Sequence, residues 1–273
     1  MPLPEYGNQR LTSEKIQMGL KTRWLGKKKV YCFYEVDSTN IVAKRLALEG
    51  APSGTIVISE AQRKGRGRMA RFWLSPKGDG LYFSLILRPD IIQERGQLIT
   101  FATAVALASS LKERGIDSRI KWPNDILIQE RKVAGILMEV SADRNRTAII
   151  VVGVGINVNT SIEAFPPSLR DSVTSLSLNI GRPLSRIRVF QDFLTHFEFW
   201  YEVLISERFE DILRAWRGFS STLGTRVNVT LQEGIISGLA EGIDSQGALL
   251  LRDDEGRQHR IIAGDVIHCR PSS

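Results

Sequence analysis

Short apolar runs bounded by turn formers alternate with longer stretches of helical period, and the balance between them changes along the chain. Val30-Tyr31-Cys32-Phe33-Tyr34, residues 55–61 and residues 81–88 are apolar runs of strand length. A short helix is predicted from about Ser13 to Leu20. A second runs from Ile41 to Glu49 after the N-cap cluster Asp37-Ser38-Thr39-Asn40, and Gly50 stops it. Residues 96–114 carry Phe101, Val105, Ala108 and Leu111 at helical spacing, with Gly115 at the end. Four strands follow: Arg119 to Trp122, Ile126 to Ile128, Val133 to Val140 and Thr147 to Val154. The polar run Asp143-Arg144-Asn145-Arg146 predicts a turn between the last two. Residues 159–172 read as a loop, and helices are predicted at 174–180, 185–206 and 208–217. From Thr222 the pattern becomes short alternating strands at 226–231, 235–241, 248–252 and 258–262, the signature of a small antiparallel barrel. The expected organisation is a basic extension (1–29), a main domain (30–220) and a C-terminal barrel (221–273).

Composition narrows the class. The chain has 273 residues, 42% hydrophobic and 25% charged, as in ordinary globular proteins. No apolar run approaches the ~18 residues of a membrane span, and the first residues carry no signal-like apolar segment. A cytoplasmic protein without membrane contact is expected. Cys32 and Cys269 lack metal-site spacing and the three histidines are scattered, so no protein-held metal and no disulfide framework is predicted. The net charge of +7 has two sources. Residues 1–30 hold a surplus of five, residues 63–71 hold five cations and no anion, and the remainder is about −3. Basicity in two local features argues against a general nucleic-acid surface.

The second of those features, Gly65-Arg66-Gly67-Arg68-Met69-Ala70-Arg71-Phe72-Trp73, leaves the end of a predicted strand. Guanidinium forks on a glycine-bearing backbone suit phosphate and carboxylate oxygens. Gly65, Gly67 and Ala70 formally match a dinucleotide-binding fingerprint. That motif requires a helix to follow, and Leu74-Ser75-Pro76-Lys77-Gly78-Asp79-Gly80 is turn chemistry instead. Nothing within the loop supplies counter-charge, so it is expected to be mobile until an anionic ligand arrives. Four further segments offer chemistry. Asp37-Ser38-Thr39-Asn40 presents hydroxyls and an amide, or else simply caps a helix. Lys121-Trp122-Pro123-Asn124-Asp125 crowds a cation, an aromatic, an amide and a carboxylate around one proline. Lys132 begins an apolar strand, where a lysine is costly unless paired or at an exposed entry. Gly153 and Gly155 fall on one face of an apolar strand, leaving either a slot for a flat ligand or a close strand contact.

Taken in order, these motifs resemble those of biotin protein ligases from about Tyr34 to the C-terminus. The family patterns G-R-G-R-x-G-R-x-W, K-W-P-N-D, R-K-x-x-G-I-L and G-x-G-I-N appear at Gly65–Trp73, Lys121–Asp125, Arg131–Leu137 and Gly153–Asn157. Ala70 stands where the family usually has glycine. The resemblance implies an α+β fold, with a mixed, largely antiparallel sheet flanked by helices, like class II aminoacyl-tRNA synthetases, followed by a small SH3-like β-barrel. It implies ATP-dependent activation of biotin to biotinyl-5′-adenylate and transfer to a lysine of a biotin carboxyl carrier protein, with Mg²⁺ accompanying ATP. Ser38, Thr39, Asn40, Gln62, Arg66, Gly67, Arg68, Lys132, Gly153 and Gly155 would then bind biotin. Arg68, Arg71, Trp73, Asn124, Lys132 and Asn157 would hold the nucleotide, with Lys132, Arg68 and Asp125 at the reaction centre. A lipoate-protein ligase is the alternative within this chemistry, and a biotin-responsive DNA-binding repressor the alternative of another class. About thirty residues before the catalytic region are too few for a recognition domain, so no specific DNA partner is expected and that segment should be solvated. A homodimer is left open.

Overall fold

A computed structural model describes residues 10–89, 96–142, 148–231 and 233–268. The turn predicted at 143–146 and Cys269 lie outside the described residues, as does the start of the chain. The main body is built on a seven-stranded sheet: β1 (Val30–Phe33), β2 (Ile56–Ser59), β3 (Leu81–Leu87), β4 (Arg119–Lys121), β5 (Asp125–Ile128), β6 (Arg131–Ala142) and β7 (Ala148–Ile156). Its spatial order is β1-β2-β3-β7-β6-β5-β4, with β1 and β2 parallel and the other neighbours antiparallel.

The two faces of this sheet are covered unequally. Helices α3 (Gly96–Glu113), α5 (Arg186–Ile205) and α6 (Phe209–Phe219) bury one face in the large core, where Phe83, Phe101, Phe190, Phe193, Phe197 and Trp216 are sealed from solvent. On the other face, α2 (Thr39–Leu48) seats Ala43 and Ala47 against Val57, Ile86, Ile149 and Val151. That small contact covers only the β2–β3–β7 end of the face. Beyond it, strand residues Gly135, Leu137, Gly153 and Gly155 form the floor of a cavity. The remaining helices are α1 (Ser13–Met18) and α4 (Leu176–Ile180).

The C-terminal unit is a five-stranded antiparallel sheet in the order β11-β10-β9-β8-β12, comprising β8 (Arg226–Leu231), β9 (Gly234–Ile243), β10 (Leu249–Arg252), β11 (Gln258–Ile261) and β12 (Asp265–His268). The fifth strand, β12, has no counterpart in the sequence reading. Its four residues show only a single buried apolar side chain, Val266, too little pattern to mark a strand.

One expectation is overturned. The segment expected to be solvated before β1 is packed: Leu11, Ile16, Leu20 and Leu25 belong to the main core. The buried Glu198 carboxylate on α5 accepts the backbone N–H groups of Arg23 (2.6 Å), Trp24 (2.9 Å) and Leu25 (3.0 Å). Glu60, itself buried and paired with Arg186 at 2.7 Å, accepts the N–H of Leu11. Apolar residues spaced among lysines read as a charged tail in sequence, whereas the few apolar positions decide the fold.

Candidate active site

The cavity holds about 370 Å³ and is lined by every residue that the sequence proposed for ligand binding or chemistry. Its polar end is made by α2 and its neighbours. Ser38 occupies the N-cap position of α2, but its side chain makes no cap hydrogen bond, so the plain-cap alternative does not account for it. Thr39 and Asn40, buried in the first turn, join a chain of short contacts. Ser84 Oγ lies 2.8 Å from Thr39 Oγ1 and 2.6 Å from Asn40 Oδ1, and Gln62 Oε1 accepts the Thr39 N–H at 2.8 Å. Gln62 Nε2 donates to Ser75 Oγ at 3.0 Å. Asn40 Nδ2 donates to Glu139 at 2.7 Å, and Arg66 stands 3.3 Å from the same carboxylate.

The two glycines of β7 make room for side chains as well as for a ligand. A Cβ on Gly153 would stand 2.1 Å from Asn40 Oδ1, and one on Gly155 would stand 2.4 Å from the Trp73 indole. The same indole closes over Gly135, and its Nε1 is buried without a hydrogen-bond partner among the described residues. The register is unbroken at both glycines and what approaches them is side chains of α2 and the arginine loop, so neither a bulge nor a close strand contact accounts for them.

Lys132 reaches the site through a register shift. Strand β5 pairs Ile126 with Ala134 but Leu127 with Lys132, so Val133 is an extra residue in β6. Val133 and Ala134 both enter the core, which returns Lys132 to the same face as Gly135. Without the bulge, alternation would send the ammonium toward the helices. Lys132 Nζ lies 2.6 Å from Asp125 Oδ1 and 5.3 Å from the centre of the Trp73 ring. The partner that a lysine in an apolar strand requires is thus Asp125.

Counter-charges hold the arginine loop, contrary to the expectation that nothing does. Arg63 and Lys64 pair with Asp37, Arg66 with Glu139, and Arg71 with Asp265 of the barrel at 2.6 Å. Arg68 donates to Asn124 Oδ1 at 3.1 Å, and Asn124 donates to the Ile136 carbonyl at 2.7 Å. Inside the loop, Gly67 N–H donates to Arg71 O at 2.7 Å and Trp73 N–H to Gly65 O at 2.9 Å, a narrow hairpin. Burial draws the Arg68 guanidinium below its ordinary pKa against the pull of Asp125 and Asp265, while the Asp265 hydrogen bond raises that of Arg71. Both remain cations at neutral pH. Arg63 holds the Asp37 carboxyl below its usual value.

Several lining residues were missed in the sequence. Ser84, just behind the lining, is a polar side chain sealed in the apolar strand β3, and that is a usable signal. Asp265, Val266 and Ile267 close the cavity from β12, and Phe165, Leu169, Ser172 and Val173 close it from the segment read as a plain loop. That segment is anchored by Lys132 itself, whose N–H donates to Ser172 O and whose carbonyl accepts from Thr174 N–H. Asn157, buried at the strand end, donates to the Thr174 carbonyl at 3.0 Å. Among the described residues no cluster of three or more His, Cys, Asp or Glu side chains could hold a metal ion. No described helix is long and apolar enough to cross a membrane.

Comparisons with known proteins bear on the chain as a whole. Residues 32–157 match the model of the biotin/lipoate A/B protein ligase family, and residues 222–269 match that of the biotin protein ligase C-terminal domain. The chain is 39% identical to the bifunctional ligase/repressor BirA of Bacillus subtilis, over 94% of this chain and 79% of that protein. It is 33% identical to the biotin–[acetyl-CoA-carboxylase] ligase of Paracoccus denitrificans, over 81% of this chain and 93% of that one. The biotin protein ligase of Aquifex aeolicus, solved with biotin and ATP, superposes with a TM-score of 0.77 at 32% identity, covering 89% of this chain and 99% of that one.

Proposed function

The chain belongs to the biotin protein ligase family, and from that premise we propose how its own residues join biotin to ATP and then to a carrier lysine. One observation carries the reading: Lys132 and Arg68 gather at one end of the cavity, and hydroxyls and side-chain amides at the other. Lys132 stands beside Gly135, Arg68 is joined through Asn124 to the Ile136 carbonyl next to it, and Asn40 stands beside Gly153 with Thr39 and Ser84 linked to it. Gly153 pairs with Leu137, so the two ends lie two residues apart along β6, roughly 7 Å at ~3.4 Å per residue, and one strand spacing of ~4.8 Å across. Biotin fits this polarity with its ureido group among the hydroxyls and amides and its carboxylate toward Lys132. The dithiolane of lipoate has no hydrogen-bonding groups for the polar end, which favours biotin over lipoate.

In the first step a biotin carboxylate oxygen attacks the α-phosphorus of ATP, the bond to pyrophosphate breaks, and a mixed anhydride forms. Ser38, Thr39, Asn40 and Gln62 hold the ureido end, Gly153 and Gly155 let the fused ring approach the strand, and Arg66 and Gly67 close over it. Lys132 bridges carboxylate and α-phosphate, and Arg68 faces the charge that develops there; fixed cations of this kind supply most of the available stabilisation. Arg71, Trp73, Asn124 and Asn157 take the nucleotide, and Mg²⁺ enters as the MgATP substrate through phosphate oxygens. In the second step the carrier's lysine amine attacks the biotinyl carbonyl, AMP leaves with the bonding electrons, and Asp125 orients the amine and accepts its proton.

Incubation with biotin, MgATP and a biotin carboxyl carrier domain, followed by intact-mass measurement, tests this. One biotinyl group should be added to the carrier, and the rate should fall about 10²-fold or more in Lys132→Ala, a loss of ~3–4 kcal/mol of transition-state stabilisation. Lipoyl transfer in place of biotinyl transfer, or a Lys132→Ala rate within tenfold of the parent, refutes the assignment it touches.

A further inference from the structure

Glu139 does not line the cavity, yet both side chains it touches do. We infer that Glu139 is the positioning residue for recognition of the ureido end, an inference that rests on the functional reading above. Strand alternation turns Glu139 to the cavity face of β6, two residues beyond Leu137 and opposite Val151. One carboxylate oxygen accepts Asn40 Nδ2 at 2.7 Å, and the other faces Arg66 Nη1 at 3.3 Å.

The consequence for Asn40 is directional. Its Nδ2 also meets the Leu137 carbonyl at 3.3 Å, so both neighbours on that side are acceptors only. The amide is therefore fixed with Oδ1 toward Ser84, and Ser84 must donate to it across 2.6 Å. Ser84 has one proton for two oxygens, and the shorter contact to the acceptor-only Asn40 Oδ1 takes it over Thr39 Oγ1 at 2.8 Å. That leaves the Thr39 hydroxyl to donate to Ser84 or to Gln62 Oε1 at 3.2 Å. In either case Thr39 Oγ1 retains a lone pair, and Thr39 lines the cavity. Gln62 Oε1 is then held by the Thr39 N–H, and its amide group points to Ser75. A single carboxylate behind the wall thereby sets which atoms of the wall accept and which donate. An accepting Thr39 suits a ureido N–H, whereas a flipped Asn40 would set its Oδ1 against the Glu139 carboxylate and the Leu137 carbonyl and turn its amide protons on Ser84. The second carboxylate oxygen holds Arg66 over the same end of the cavity, and that contact is half-exposed, so it contributes less. The anion also sits far from the cations that receive the carboxylate, so it does not oppose them.

Two substitutions separate the roles. Glu139→Ala removes both contacts; Glu139→Gln keeps an oxygen for Asn40 Nδ2 and loses the charge facing Arg66. In biotin-dependent pyrophosphate exchange, Glu139→Ala should raise the KM for biotin at least tenfold, with the KM for ATP and kcat each within threefold of the parent. Glu139→Gln should restore the biotin KM to within threefold. A Glu139→Ala protein within twofold of the parent on biotin, equal rises in both KM values, or no rescue by glutamine each overturns the inference. Absence of exchange in the parent would count against the functional reading instead. In that event the Asn40 side-chain amide protons, followed by NMR without ligand, decide the matter for Glu139: they should move in Glu139→Ala and hold in Glu139→Gln, and unmoved protons in both would refute it.

Discussion

At the scale of single residues, the departure at position 70 has a physical consequence. Ala70 takes φ +57°, and Met69 before it takes φ +52°. An L-residue there costs roughly 1–2 kcal/mol through the approach of Cβ to the carbonyl, whereas glycine escapes that clash. Glycine also loses more entropy on ordering, about 0.4–1 kcal/mol against alanine. Ala70→Gly should therefore stabilise the closed hairpin by about 1 kcal/mol, a roughly fivefold gain in protection against local opening. The amides of Gly67 and Trp73, bonded to Arg71 O and Gly65 O, report this directly by hydrogen exchange. Faster exchange in Ala70→Gly would mean that backbone freedom outweighs the relief of strain. Residue identity was the most legible part of this molecule, because the arginine loop, Lys121–Asp125 and the β7 glycines are rare local combinations. Glu139 and Ser84 were not, since their meaning depends on which strand lies beside which: Ser84 pairs with Gly153 across a sheet order that no local pattern displays.

At the scale of elements, helices and strands of the main sheet follow their apolar periods closely, while β12 and the bulge at Val133 do not. The bulge decides where Lys132 points, yet in sequence it is one apolar residue among several. Strand β12 is stabilised by its partner, with Asp265 to His268 pairing against Thr230 to Val227, and by the contact of Asp265 with Arg71. Tertiary partners of this kind override weak local preference. The turn between β10 and β11 depends on one side chain instead. Asp253 accepts from His259 at 2.7 Å, from the Arg257 guanidinium at 2.9 Å, and from the Arg257 and Glu255 N–H groups. The His259 hydrogen bond, followed by those from Arg257, holds its carboxyl well below the usual range. A depressed folded pKa gives stability that is fully present above the unfolded value near 4 and is lost as pH falls through the folded value. Asp253→Asn should lower the unfolding temperature at pH 7, and its gap from the parent should narrow progressively as pH falls below about 4. A gap that stays constant in thermal unfolding as pH is lowered below about 4 would show that the carboxylate charge is not the source.

At the scale of the whole molecule, the site exists because two separate parts of the chain close on one sheet face while a third holds the opposite face. The arginine loop covers it, β12 of the barrel walls it through Asp265, and the segment before β1 fastens the opposite side of the body through α5. That segment shows how charge can mislead: Lys27, Lys28 and Lys29 dominate its sequence, while Leu11, Ile16, Leu20, Leu25 and the Glu198 carboxylate decide its place. Gln191 on the same helix donates to the Ile16 carbonyl at 2.8 Å, so α5 grips the segment at two points one above the other. Glu198→Ala would leave three backbone N–H groups without their acceptor, at ~1–3 kcal/mol for each that water cannot reach. Partial hydration of the exposed Arg23 end reduces the sum, so a loss of about 3 kcal/mol is expected, or a fall of roughly 10 °C in unfolding temperature for a body of this size. Glu198→Gln keeps one carbonyl oxygen in place of two and should lose less. Because Glu198 lies across the sheet from the cavity, kcat for adenylate formation measured well below the transition should stay within twofold in both variants. Hydrogen exchange at Leu11, Trp24 and Leu25 should accelerate together in Glu198→Ala. Unchanged exchange at those amides, with an unchanged unfolding temperature, would mean that residues 10–29 behave as the solvated extension their charge suggests and that the packing seen here contributes nothing to stability.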